Sequence, residues 1–330
     1  MKVLIKRILI FFMWYPLRIF IRVLPLDIIY LLGIAGGRLL RLISKEKTRV
    51  MAGELKAIFP QKSPSEIETI IRGSFENYCL SEMEVLLYPC LNKSFIEKMV
   101  VIEGREHLDA ALKKGKGVAL FQAHFGAFQM TMPAIGYSGY TMSQISASAA
   151  LWKDGNPASI QARSFDIKAR YEYTLPVKHI SIQSSLRPAF RALENNEVLG
   201  ITVDGGGGRK VVPIRFLGRI ANFQQGGADM AIRTGAEIVP AFIITEKGLK
   251  HRLIISPPIK IDEKLGGDEN IKNIMKEFAG LLEGYVNRFP SHYGYSLYLR
   301  KERSKIDPYP FFADHGDGKE LHGRKGMNYA

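Results

Sequence analysis

The chain is short of residues that make loud chemical signatures. Its 330 residues include only two cysteines, Cys79 and Cys90. That excludes a disulfide framework, and it excludes a cysteine-built zinc set, which takes about four ligands. Reduced thiols in the cytosol are the simplest reading. No G-x-S-x-G marks a serine nucleophile, and no H-E-x-x-H marks a zinc hydrolase. The glycine run Gly205–Gly208 is followed by Arg209-Lys210 rather than the lysine-hydroxyl ending of a phosphate loop, so it reads as a flexible turn. There is no internal repeat.

Acidic residues are scarce at the start. Residues 1–50 hold ten Lys or Arg against Asp27 and Glu46, a local excess of eight out of a net charge of +14. Positive charge laid along the most apolar part of the chain suits an anionic membrane surface. A nucleic-acid binder would set it in an aromatic-basic groove instead, and that class is set aside. A long apolar run is also missing. The uncharged stretch Ile8 to Leu17 is ten residues, about half of what spans a bilayer. Pro16, Arg18 and Arg22 follow with no small-residue cleavage site, which argues against a signal peptide. Arg18 and Arg22 lie four apart on one helical face and can snorkel. Residues 1–44 are expected to form one or two helices lying in the interface, or a tilted anchor. A full span is the alternative.

What the chain does have is order. With 46% hydrophobic residues it can bury a sizeable core. Residues 45–98 read as helix packed on that core, with Ile67, Ile70, Ile71, Phe75, Tyr78 and Cys79 at helical spacing after a cap at Ser63 or Ser65. From 99 to 303 strands and helices alternate. GVALFQAH (Gly117 to His124), EVLGITVD (Glu197 to Asp204) and EIVPAFII (from Glu237) are near-continuous apolar runs, the mark of strands buried on both faces. VVIEG and GYTMSQISAS are further strands, and HRLIISPPIKI reads as an edge strand broken by its prolines. The spacing predicts helices over REHLDAALKKG, Pro157 to Arg170, SSLRPAFRALENN, Ala228 to Thr234 and Ile271 to Arg288. The expected fold class is α/β: a mixed, largely parallel central sheet flanked by helices, with an N-terminal amphipathic helical region. The tail, 304–330, reads as loosely ordered.

His124 ends one buried strand at a Phe125-Gly126 turn that is expected to lead into a helix. Strand C-terminal ends are where open α/β sheets place ligands. Free N–H groups at such a turn suit a developing oxyanion. Five positions on, where an orienting acid would be expected, stands Gln129. His315 has Glu320 at that spacing but no strand before it, so it is discarded. An amide can fix a tautomer through its carbonyl; it cannot stabilise an imidazolium with a full charge. Three readings stay open: a site with an altered helper, a silent enzyme, or an ordinary buried histidine; an active site could also draw a compensating acid from elsewhere, Asp204 or Glu237.

AHFGAFQM resembles the histidine-x4-acid block of the lysophospholipid acyltransferase superfamily, and more narrowly of the lipid A late acyltransferase family. Other blocks follow in that family's order: Asn156-Pro157 with Arg163 and Arg170, ITVDGGGG with Asp204, Phe216 and Gly218 in VPIRFLGR, Arg233 in QQGGADMAIRTGAEIVPAF, and PSHYGYSLYLRK. The resemblance implies a glycerol-3-phosphate acyltransferase-like fold and an O-acyltransferase without cofactor or metal. It would move a fatty acyl group from an acyl carrier protein or acyl-CoA donor to a hydroxyl of a lipid or glycolipid acceptor of lipid A type. It implies His124 as general base with Gln129 in the acid's place. Phe125, Gly126, Arg163, Arg170, Asp204, Gly218 and Arg233 would bind substrate. The anionic cytoplasmic face of the bacterial inner membrane is the implied location. A catalytically silent lipid-binding relative is the rival, motivated by Gln129.

Overall fold

A computed structural model describes residues 7–8, 10–147, 159–205, 210–262, 264–307 and 309–316. Asn156, Pro157, Gly206 to Gly208 and Arg209 lie outside the described residues. The helices are α1 Leu26–Ile43, α2 Lys45–Ile58, α3 Pro64–Leu87, α4 Lys93–Met99, α5 Arg105–Leu112, α6 Thr131–Tyr137, α7 Ile160–Glu172, α8 Arg187–Glu194, α9 Gly226–Thr234, α10 Gly267–Arg288 and α11 Gly294–Arg303. The strands are β1 Val100–Glu103, β2 Val118–Gln122, β3 Met142–Ser146, β4 Lys178–Ser181, β5 Val198–Thr202, β6 Val211–Phe216, β7 Arg219–Gln224, β8 Glu237–Thr245 and β9 His251–Ile255.

Seven strands form one sheet in the order β1-β9-β8-β2-β5-β3-β4. Every neighbouring pair is parallel except β8 and β9. The apolar runs at 118, 198 and 237 occupy its centre because both of their faces are covered. In β2 the faces alternate. Ala119 and Phe121 join the layer that holds Phe278 of α10 and Ala228 of α9. Val118 and Leu120 join the layer that holds Ile96 of α4 and Ile135 of α6. Gly200 in β5 leaves room for a buried pair above it, Gln122 Nε2 donating to Gln144 Oε1 at 3.2 Å.

Three expectations need correction. β9 is no edge strand: β1 covers its outer side, and Pro257-Pro258 end it instead of exposing it. The sequence pattern assigns no strand to β4, β6 or β7. β7 pairs with β6 as a separate antiparallel ribbon. Its two-residue turn, Leu217-Gly218, has positive φ at both positions, the geometry that joins tightly twisted strands. The tail after 304 also contains an ordered strap. Phe312 is fully buried and bridges Ala221 of β7, and Phe311 is buried beside it.

Ser63 caps α3 in a reciprocal box with Glu66. On α1, Ile29, Gly33 and Gly37 are buried at successive turns. A Cβ at Gly37 would come within 2.6 Å of the Glu76 backbone of α3, so the two helices touch through glycine. The far side of α1 leaves Leu31, Leu32, Leu39 and Leu42 exposed, and Phe11, Phe12, Ile19 and Phe20 extend the apolar surface. Among the described residues, no helix is long and apolar enough to cross a membrane. α3 carries Glu84 into the core, where Oε1 faces His251 Nε2 at 3.2 Å with both side chains buried.

Candidate active site

Register brings the site together. β2 and β5 are adjacent and parallel, with Gln122 opposite Thr202 as the last pair. Each strand continues two residues further, to His124 on one and Asp204 on the other. Val203 N still donates to Gln122 O at 3.0 Å, so the alignment holds past the ladder. His124 Nδ1 meets Asp204 Oδ1 at 2.8 Å, and the His124 backbone N–H donates to the same carboxylate at 3.0 and 3.1 Å. A carboxylate on Nδ1 puts the proton there and leaves Nε2 as the acceptor. The imidazole is 35% exposed while the Asp204 side chain is fully buried.

The carboxylate is gripped from above by the C-terminal helix. Arg300 Nη2 donates to Asp204 Oδ2 at 2.6 Å, and Nη1 donates to the Asp204 carbonyl. Tyr293 Oη donates to Oδ2 at 3.1 Å. Burial alone would raise the Asp204 pKa, but the charge of Arg300, then that of His124, and the His124 hydrogen bonds outweigh it. They hold the carboxyl well below the usual carboxylate range. Asp204 is therefore a fixed anion. The same segment also grips the loop after β2. Ser296 Oγ donates to His124 O at 2.6 Å, and Gly126 N donates to His292 O at 3.0 Å.

Gln129 stands elsewhere. Its side-chain amide donates to Ser81 Oγ of α3 at 3.2 Å, and its backbone carbonyl accepts from Tyr88 Oη at 2.8 Å. Among the described residues the acid against the His124 ring is Asp204. Glu237, the other acid considered, begins β8 at the opposite end of the sheet and pairs with Lys114.

The turn residues differ from expectation too. Phe125 N donates to Ala123 O at 2.7 Å and Gly126 N is taken by His292, so neither N–H is free for an oxyanion. The Phe125 ring is core, stacked on His292 with centroids 5.5 Å apart. Gly126 is glycine for backbone reasons: φ is +58°, and a Cβ would come within 1.9 Å of the Ile243 carbonyl oxygen. Gly205 lies beside the imidazole, where an added Cβ would sit 3.6 Å from His124 Cε1.

The arginines divide. Arg163 and Arg170 both line a cleft of ≈ 600 Å³ between α7 and the N-terminal arm, with Tyr15, Arg18, Asp166 and Tyr173. Trp14 packs on Tyr171, and Arg22 donates to its hydroxyl at 3.0 Å, joining arm to helix. Arg233 is not with them. It closes α9 just before β8, whose first residue pairs with the first residue of β2. His124 lies two residues past the end of β2, roughly 20 Å of extended chain from Val118. Arg233 pairs with Asp229 on its own helix. Gly218 is explained by its turn. Arg219 belongs to a latch with Glu54 and Asp314, and Arg215 is exposed on β6.

Sequence reasoning missed Tyr293, Ser296 and Arg300. They recur every three to four residues across one side of a helix start. That spacing inside PSHYGYSLYLRK is the signal that could have found them.

Sheet order, paired strand ends and helical arm define the class: an α/β protein built around a histidine–carboxylate pair at the C-terminal ends of two adjacent strands. The chain belongs to the bacterial lipid A biosynthesis acyltransferase family, which it matches over residues 1–299. Among curated relatives are the phosphatidylinositol mannoside acyltransferases of two Mycobacterium tuberculosis strains, CDC 1551 / Oshkosh and ATCC 25618 / H37Rv. Each is 26% identical over 179 residues, 52% of this chain and 54% of the relative. The chain thus spans about half the length of the curated relatives it matches.

Proposed function

We propose that the protein is an O-acyltransferase working at an anionic membrane surface, with His124 as general base and Asp204 as its orienting acid. The observation that carries this is the 2.8 Å contact between His124 Nδ1 and a carboxylate that Arg300 keeps ionised. In the reaction, Nε2 takes the proton of an acceptor hydroxyl while its oxygen attacks the carbonyl carbon of an acyl thioester. The carbon–sulfur bond of the tetrahedral adduct then breaks, and the leaving thiolate takes the proton back from the imidazolium. Asp204 fixes the tautomer and offsets the imidazolium charge. The silent alternative drew on a missing acid at 129, and the Asp204 pairing weakens that motive.

The donor is an acyl thioester on acyl carrier protein or CoA. The acceptor is an anionic glycolipid, in keeping with the family's lipid A and the relatives' phosphatidylinositol mannoside. The Arg18, Arg163 and Arg170 cleft suits its phosphate, because guanidinium matches phosphate geometry. The exposed apolar side of α1 and the arm beside that cleft would rest in the bilayer interface, presenting the cleft to lipid headgroups. The bacterial cytoplasmic membrane face is the proposed location.

The test is transfer from acyl carrier protein and CoA thioesters to a panel of glycolipid and lysophospholipid acceptors in vesicles. His124→Ala should lose transfer and Gln129→Glu should keep it. Undiminished transfer in His124→Ala, or none by the native protein with any pair, overturns the reading. Deleting residues 1–44 should abolish co-sedimentation with anionic vesicles, and unchanged sedimentation refutes the surface assignment.

A further inference from the structure

The strap at 309–316 lies beyond the part of the chain that matches the family, yet it reaches the site. Phe311 lays its ring against Arg300, with the guanidinium carbon 3.8 Å from the ring centroid. The Tyr293 ring stands 5.5 Å from the same carbon. Arg300 is almost wholly buried, and its Nε has no hydrogen-bond partner. Its fork is therefore placed by two things: the bonds to Asp204, and the aromatic face below it.

Phe311 is itself held firmly. Asn222 donates from its backbone to Phe311 O at 2.6 Å and from its side chain to Pro310 O at 2.8 Å. The strap thus adds a single antiparallel bridge, Phe312 to Ala221, to the edge of the β6–β7 ribbon. Beyond it a latch closes. Arg219 donates to both Asp314 oxygens, at 2.6 and 2.8 Å, and to Glu54 at 2.7 Å. His315 Nε2 sits 2.9 Å from the same Glu54, and the Arg219 guanidinium covers Phe312 at 4.0 Å. So much fixation around a short exposed-end segment leaves Phe311 little freedom, and Arg300 with it.

We propose that the strap is a positioning element of the His124–Asp204 pair, acting through Phe311 stacked on Arg300. This rests on the acyl-transfer reading for its consequence in turnover, though not for its structural content. An aromatic face excludes water from the guanidinium and matches its plane. Without that face the fork hydrates and wanders, its hold on Asp204 Oδ2 loosens, and the carboxylate loses alignment with the imidazole.

The experiment follows amide hydrogen exchange of His124 by NMR in the full chain, because that N–H donates to Asp204. The Leu120 amide, inside β2, is the internal control. In Phe311→Ala, His124 exchange should quicken at least about tenfold, with Leu120 unchanged and Phe311→Tyr restoring the native rate. Turnover should fall about tenfold in kcat with KM unchanged, the pattern of an interaction that matters in the transition state. If the protein transfers no acyl group at all, the exchange comparison still decides. A folded Phe311→Ala whose His124 amide exchanges at the native rate overturns the proposal. Should Phe311→Ala fail to fold, Phe311→Leu keeps the bulk without the ring face, and the same exchange criterion applies to it.

Discussion

His124 and Asp204 stand 80 residues apart in the chain and two residues past the same rung of the sheet. That single relationship replaces the local histidine-x4-acid pairing with a pairing across strands. It makes the charge at Asp204, rather than the side chain at Gln129, decisive. Asp204→Asn should therefore cut kcat by about 10⁴, the cost of losing an orienting acid through the wrong tautomer. Gln129→Glu should leave kcat near native, because its side chain faces Ser81. A large gain in Gln129→Glu would mean that residue 129 reaches the imidazole during turnover.

Acid should unfold the protein in two stages. Burial holds His292 down to about 4, against about 6.5 in an unfolded chain. Between those values the unfolded state takes up a proton that the folded state refuses, so stability is intact above pH ~6.5 and drains as pH falls toward 4. The slope is at most about 1.4 kcal/mol per pH unit. Asp204, depressed in the fold, contributes stability that is present above about pH 3.9 and is lost at still lower pH. Urea melts across pH should show both stages, His292→Gln flattening the first and Asp204→Asn the second.

The buried Glu84–His251 contact should behave as a unit. The two groups face each other at 3.2 Å without hydrogen-bond geometry, so removing one leaves the other buried and unsatisfied at about 1–3 kcal/mol, whereas replacing both with apolar residues costs far less. A double-mutant cycle of Glu84→Leu and His251→Leu, read by chemical denaturation, should give strong positive coupling. Additive losses would show that the two groups act separately.

Gly37 sets how closely α1 approaches α3. Gly37→Ala forces a Cβ onto the Glu76 backbone, which cannot yield as a flexible side chain would. Overpacking of this kind costs about 1–3 kcal/mol. The expected result is faster proteolysis within the arm while the sheet stays folded. Unchanged protection of α1 would show that the helices have slack.

Much of the fold was legible because its central strands are long apolar runs, and β2, β5 and β8 stand where those runs predict. The losses have physical reasons. β4 is four residues with one buried side chain, too short and too polar for a pattern. The prolines after β9 mimic an edge strand, because its partner β1 lies about 150 residues earlier in the chain. Arg233 looked like a ligand from its motif, but only register reveals that the start of β8 lies at the far end from His124. For Asp204 the sequence supports two roles, a substrate contact and a substitute acid. Nothing in a linear chain could choose, since the choice is made by which strand lies beside β2.

The C-terminal segment that supplies Tyr293, Ser296 and Arg300 is made after every strand of the sheet. A chain that has completed the nine strands named above therefore still lacks the counter-charge of Asp204. Such an intermediate would carry its histidine without a firmly set partner. The pair gains its counter-charge only through the docking of this helix over the sheet.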